Sequence, residues 1–163
     1  MLRDYQQRAI DELYAWFSSH SEGHPCLELP TGSGKSHIVA ALCQDALTSW
    51  PGTRVLMLTH VKELIRQNAN KMLEHWPDAP LGIYSAGLNQ RELGQPITFA
   101  GIQSVRKRAS EIGHIDLVIV DECHLINHKQ EGGYRGLIDD LTAINPALRV
   151  VGLTATPYRL GHG

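Results

Sequence analysis

The runs VLML at 55–58 and LVIV at 117–120 are apolar at every position. A strand sends successive side chains to opposite faces, so a run without a polar face must be covered on both sides. Sheets of that kind are parallel, and parallel neighbours need a crossover, usually a helix. The intervening segments fit. Val39, Leu42, Cys43, Ala46 and Leu47 recur at helical spacing and stop before Trp50-Pro51-Gly52. VKELIRQNANKMLEHW turns Leu64, Ile65, Met72, Leu73 and Trp76 inward, and Leu137, Ile138, Leu141 and Ile144 mark a helix ending near Asn145-Pro146. Residues about 4–18 read as an amphipathic helix through Ala9, Ile10, Leu13, Trp16 and Phe17. CLEL, LGIYSAG, ITFAG and RVVGLTAT read as further strands, with a polar turn region before ITFAG, and IQSVRKRAS as one short helix. The pattern predicts a single doubly wound α/β domain over residues 1–163, mostly parallel, with helices on both faces.

In such sheets ligands sit outside the carboxyl ends of the strands. The loops after CLEL, DLVIV and VVGL are therefore the places to look. PTGSGKS, at 30–36, joins a strand to a helix. Gly32 and Gly34 let the backbone curl so that several N–H groups face one anion, and the helix that follows adds its positive end. Lys35 can then reach the outer phosphates of a nucleotide, and the Ser36 hydroxyl can join a Mg²⁺ shell. The strict phosphate-loop pattern has a glycine where Leu29 stands here. A glycine-rich loop that merely caps a helix is the alternative.

IVDECHLI, at 119–126, puts Asp121 and Glu122 at the end of the apolar strand, followed by Cys123 and His124. A structural zinc site is one reading, but no second Cys/His pair lies at ligand spacing. The other reading pairs the carboxylates with the phosphate loop. Asp121 then holds the metal, and Glu122 orients or deprotonates a water.

Charge and cysteines narrow the rest. The chain has 163 residues, enough for one domain with a sizeable core, and a formal net charge of −2. A nucleic-acid face must therefore be local. The three cysteines form no CxxC, which suits a reducing compartment. No apolar run approaches the roughly 18 residues of a membrane span. These features predict a soluble, cytoplasmic, monomeric chain with no membrane partner.

LPTGSGKS, VLMLTHVKELIRQ, DECH and GLTATP occur in the order found in superfamily 2 helicases. From LRDYQ at 2–6 to GLTATPYR at 152–159, the chain resembles their N-terminal RecA-like motor domain. More narrowly, it resembles the helicase part of type III restriction enzymes, alongside bacterial RadD-like and phage helicases. The resemblance implies ATP and Mg²⁺ as cofactors. It implies adenine recognition by Arg3 and Gln6, phosphate binding by Pro30, Thr31, Gly32, Ser33, Gly34, Lys35 and Ser36, and metal binding by Ser36 and Asp121, largely through water. Glu122 prepares the attacking water, and His124 links the DECH segment to its surroundings. Thr59, His60, Lys62, Gln67, Gly87, Gln103 and Ser104 track a nucleic-acid backbone, DNA being favoured over RNA. Lys62, Glu63 and Arg66 read equally well as a solvated helix face, and the run Arg106-Lys107-Arg108 reads as a solvated patch. Thr154 and Thr156 couple nucleotide state to strand grip.

The resemblance also implies a second RecA-like domain with further motifs. Its absence predicts weak nucleotide binding and slow turnover by this chain. A kinase, a GTPase or a non-catalytic nucleotide-binding module would use the same loop. A GTPase should carry Asn-Lys-x-Asp, which does not occur.

Overall fold

A computed structural model describes residues 26–30, 35–122 and 128–156. The helix expected over residues 4–18 lies outside them, as do Arg3, Gln6, Thr31, Gly32, Ser33, Gly34, His124, Tyr158 and Arg159. In chain order the elements are β1 (Cys26–Pro30), α1 (Lys35–Ser49), β2 (Val55–Thr59), α2 (Lys62–His75), β3 (Leu81–Ser85) and β4 (Gln90–Arg91). They continue with β5 (Ile97–Gly101), α3 (Ile102–Val105), α4 (Ala109–Ile112), β6 (Leu117–Val120), α5 (His128–Ile144) and β7 (Arg149–Thr156).

The strands form one sheet in the order β1-β7-β6-β2-β5-β3-β4, parallel throughout except for the β3–β4 hairpin. Side chains alternate across β2. Val55 and Met57 join a core with Ile38, Leu42, Ile65, Met72 and Phe99, under α1 and α2. Leu56 and Leu58 join Val105, Ile112, Leu137 and Leu141 on the opposite face, under α3, α4 and α5. The unbroken apolar runs thus find cover on both faces, as their composition demands. Each fully buried aliphatic side chain contributes about 1.5–3 kcal/mol by leaving water.

Local chemistry sets the boundaries. Asn145 ends α5: its amide donates to Ile115 O at 2.9 Å, and its Oδ1 accepts from Ala147 N at 3.0 Å. Gly113, at φ 78°, ends α4 in a conformation that suits glycine. The short β4 lies inside the polar turn region and was not expected. Gly82 makes room for the segment after it, since a Cβ there would lie 3.1 Å from Glu92 Cβ. Glu92 fastens that segment, its carboxylate accepting from Ile83 N at 2.9 Å.

IQSVRKRAS is not one helix. It breaks into α3 and α4, with Arg106, Lys107 and Arg108 between them. α5 starts at His128, well before its apolar stripe, and Ile144 at its end is exposed.

Candidate functional site

β1, β7 and β6 are neighbours and parallel, so their carboxyl ends open on the same edge of the sheet. Pro30 closes β1 and Lys35 opens α1, so four residues lie between strand and helix. α1 is 15 residues long, and its amino end carries N–H groups with no partner inside the helix and a positive dipole end.

Asp121 follows β6 directly and is fully buried. Its N–H donates to Leu58 O at 2.8 Å, continuing the ladder onto β2. Its Oδ2 accepts from Asn68 Nδ2, also at 2.8 Å. A buried carboxylate needs such donors or a cation. Asn68 sits on α2 within the core-facing stripe of Ile65, Ala69 and Met72. Ser36, in the first turn of α1, and Asn68 line the same small pocket with Val39, Met57, Met72 and Phe99. Ser36 therefore shares a pocket with Asn68, and Asn68 in turn bonds Asp121. A hydroxyl and a carboxylate are hard oxygen donors, the set that suits Mg²⁺.

Three more features belong to this corner. Ser36 Oγ lies 3.4 Å from His75 Nε2, and His75 stacks on His37 with centroids 4.5 Å apart and planes 5° from parallel. Burial, with help from the His75 charge, lowers the His37 pKa. Glu122 has φ 52°, in the left-handed region that a non-glycine residue enters at a cost. Strain of that kind collects at functional sites. On α5, the Tyr134 hydroxyl is buried with no hydrogen-bond partner among the described residues. Burial and the Asp121 charge together push its pKa up. Asn68, His75 and Tyr134 were not anticipated. For Asn68 the signal was available, as a polar residue inside an apolar stripe.

Of the residues expected to follow a nucleic-acid backbone, all but Gln67 lie at or just after the carboxyl ends of β2, β3 and β5. Gln103 Nε2 donates to His60 O at 3.4 Å, and Ser104 Oγ accepts from Ala86 N at 2.9 Å. Lys62 crosses Gly87 so closely that a Cβ there would lie 3.1 Å from Lys62 Cδ. His60 Nδ1 is buried without a partner among the described residues. Thr59 is buried, and its hydroxyl accepts from Val61 N at 3.2 Å, so it shapes the turn into α2 and does not face solvent. Gln67 is exposed on α2, and no described contact joins it to the others. Thr154 and Thr156 lie on β7, in register with Glu28 and Pro30 of β1.

The sheet and its loop edge define a RecA-like α/β nucleotide-binding domain. Over residues 1–159 the chain matches the model of the type III restriction enzyme, res subunit family, and it belongs to that family. A 51.5 kDa protein of a Lactococcus phage (isolate 7-9) is 31% identical over 134 residues, covering 82% of this chain and 24% of that protein. The chain spans about a quarter of the length of the curated relatives it matches. Among solved structures, the UvsW helicase from bacteriophage T4 superposes with a TM-score of 0.70 at 21% identity, covering 94% of this chain and 52% of that one. The Sulfolobus solfataricus SWI2/SNF2 ATPase core, in complex with dsDNA, gives a TM-score of 0.69 at 16% identity, covering 96% and 32%. These two likenesses establish the fold. No described helix is long and apolar enough to cross a membrane.

Proposed function

We propose that the chain is the ATP-binding half of an ATP-dependent helicase or translocase that moves on nucleic acid, DNA being favoured over RNA. The observation that supports the reading most is that Asn68, which lines a small pocket with Ser36, donates to the Asp121 carboxylate just past the end of β6. Family membership and the helicase fold support it.

ATP is the substrate, bound with its phosphates against the loop of residues 31–34 and the amino end of α1. Lys35 offsets charge as the γ-phosphate bond to the leaving diphosphate breaks. Ser36 and Asp121 would hold Mg²⁺, largely through water, and the bound ion would supply further positive charge to the phosphates. Asn68 fixes one Asp121 oxygen so that the carboxylate keeps its orientation. Glu122 accepts the proton of the attacking water. Arg3 and Gln6 read the adenine, Thr154 and Thr156 pass the nucleotide state to the strand, and His124 links the two. His60, Lys62, Gly87, Gln103 and Ser104 hold the backbone without reading sequence. A second RecA-like domain completes the cleft and brings arginine to the γ-phosphate, so this chain alone binds ATP weakly and turns it over slowly.

ATP turnover by the chain, with and without single-stranded DNA and RNA, tests the reading. Stimulation by either nucleic acid, and trapping of bound ATP by Glu122→Gln, are the expected results. ATP binding with no response to nucleic acid and no effect of Glu122→Gln would favour a nucleotide-binding module.

A further inference from the structure

The run Arg106-Lys107-Arg108 reads from sequence as a solvated patch, yet in the fold it lines a cleft. The break between α3 and α4 brings these three side chains around a cavity of about 490 Å³, with Arg91 of β4 contributing a fourth cation. Arg108 is bridged to Glu111 at 2.9 Å. Among the described residues no carboxylate pairs with Arg91, Arg106 or Lys107. Three unpaired cations on one cleft repel one another, and a bound anion would relieve that repulsion. This concentration stands out in a chain whose net charge is −2.

The cleft is also placed to extend the backbone track. Gln103, Ser104 and Ala86 belong to its lining, and Gln103 also reaches His60 O at 3.4 Å on the track. A strand leaving Gln103 and Ser104 therefore meets Arg91, Arg106 and Lys107 next. All three are exposed, so their charges are open to a ligand from solvent.

We infer that this cleft is a second phosphodiester site, which takes backbone phosphates of nucleic acid beyond those held at the track. The inference rests on the helicase reading and adds residues to it. The same chemistry has two sources, the continuing track strand or the complementary strand of a duplex.

Fluorescence anisotropy of the 163-residue chain against a labelled single strand and a labelled duplex, from 20 to 200 mM salt, tests it. The variant combines Arg91→Gln, Arg106→Gln and Lys107→Gln. Each lost phosphate contact flattens the log K against log salt slope by about 0.7 on a single strand and 0.9 on a duplex. The variant should therefore be shallower by about 2 to 3, with nucleotide affinity and melting temperature as in the wild type. Arg106→Lys alone should keep the wild-type slope. An effect on the single strand assigns the cleft to the track strand, and an effect confined to the duplex assigns it to the complementary strand. Equal slopes and affinities for variant and wild type on both ligands would overturn the cleft while leaving the track intact. A wild-type chain that binds neither ligand at 20 mM salt would overturn the helicase reading, and the cleft with it.

Discussion

Replacing Glu122 by glycine should make the protein more stable while removing the ATP hydrolysis proposed for it. Glu122 has φ 52° and Asn89 has φ 55°, the two non-glycine residues of positive φ among those described. For an L-residue with a Cβ the left-handed region costs roughly 1–2 kcal/mol, and asparagine tolerates it best. Glycine removes that cost but returns about 0.4–1 kcal/mol through the greater freedom of the unfolded chain. The balance at Glu122→Gly is a gain of about 0.5–1 kcal/mol, whereas Asn89→Gly, in the β3–β4 turn, comes out near zero. In a domain of this size a gain of that order raises Tm by about 1–4 °C. Glu122 makes an interaction of its own, and its loss works against the gain. Glu122→Gln isolates that contribution, since it keeps the Cβ and the backbone strain. Calorimetric melts of the three variants without nucleotide measure the comparison. If Glu122→Gly melts below the wild type while Glu122→Gln does not, the left-handed backbone at Glu122 is not strained and the reasoning fails.

Three further outcomes follow from the same geometry. Asn68→Ala leaves Asp121 buried without its 2.8 Å donor, costing about 1–3 kcal/mol in stability and raising the Mg²⁺ concentration needed for ATP binding; unchanged Mg²⁺ titrations would contradict the positioning role. Burial pushes the Cys43 thiol up to about 12 from 9.0, so it should resist alkylation at pH 8 until the chain is denatured. The unfolded thiol releases its proton first, so stability is unaffected below pH 9 and falls from there toward pH 12, by up to about 1.4 kcal/mol per pH unit. Urea melts should show this extra slope in the wild type and not in Cys43→Ala. Gly87→Val drives a Cβ against the Lys62 stem, which can swing aside; folding should change by less than about 0.5 kcal/mol while single-strand affinity drops several-fold in anisotropy.

The architecture was legible because its strands are apolar on both faces, a pattern that few other arrangements can bury. VLML and LVIV fell in β2 and β6 for that reason. The hairpin strand β4 was not legible, since Gln90 and Arg91 carry no apolar pattern and pair only because Gly82 admits the segment beside them. The split of IQSVRKRAS was hidden because three cations are compatible with a solvated helix until packing on α5 decides where the turns lie. At the site, Asp121 stood out as a carboxylate ending an apolar strand. Its partner Asn68 lies 53 residues earlier, and that distance is bridged only when α2 packs on the sheet. Thr59 looked like a surface contact, but its position as the last residue of a central strand buries it.

A crystal of this chain grown with Mg²⁺ and a non-hydrolysable ATP analogue addresses the central claim most directly. The account places the triphosphate on the turn between β1 and α1, with Mg²⁺ between the Ser36 hydroxyl and the Asp121 carboxylate, and Asn68 still bonded to that carboxylate. Nucleotide density elsewhere on the molecule, or a metal that touches neither Ser36 nor Asp121 directly or through a water, would contradict it.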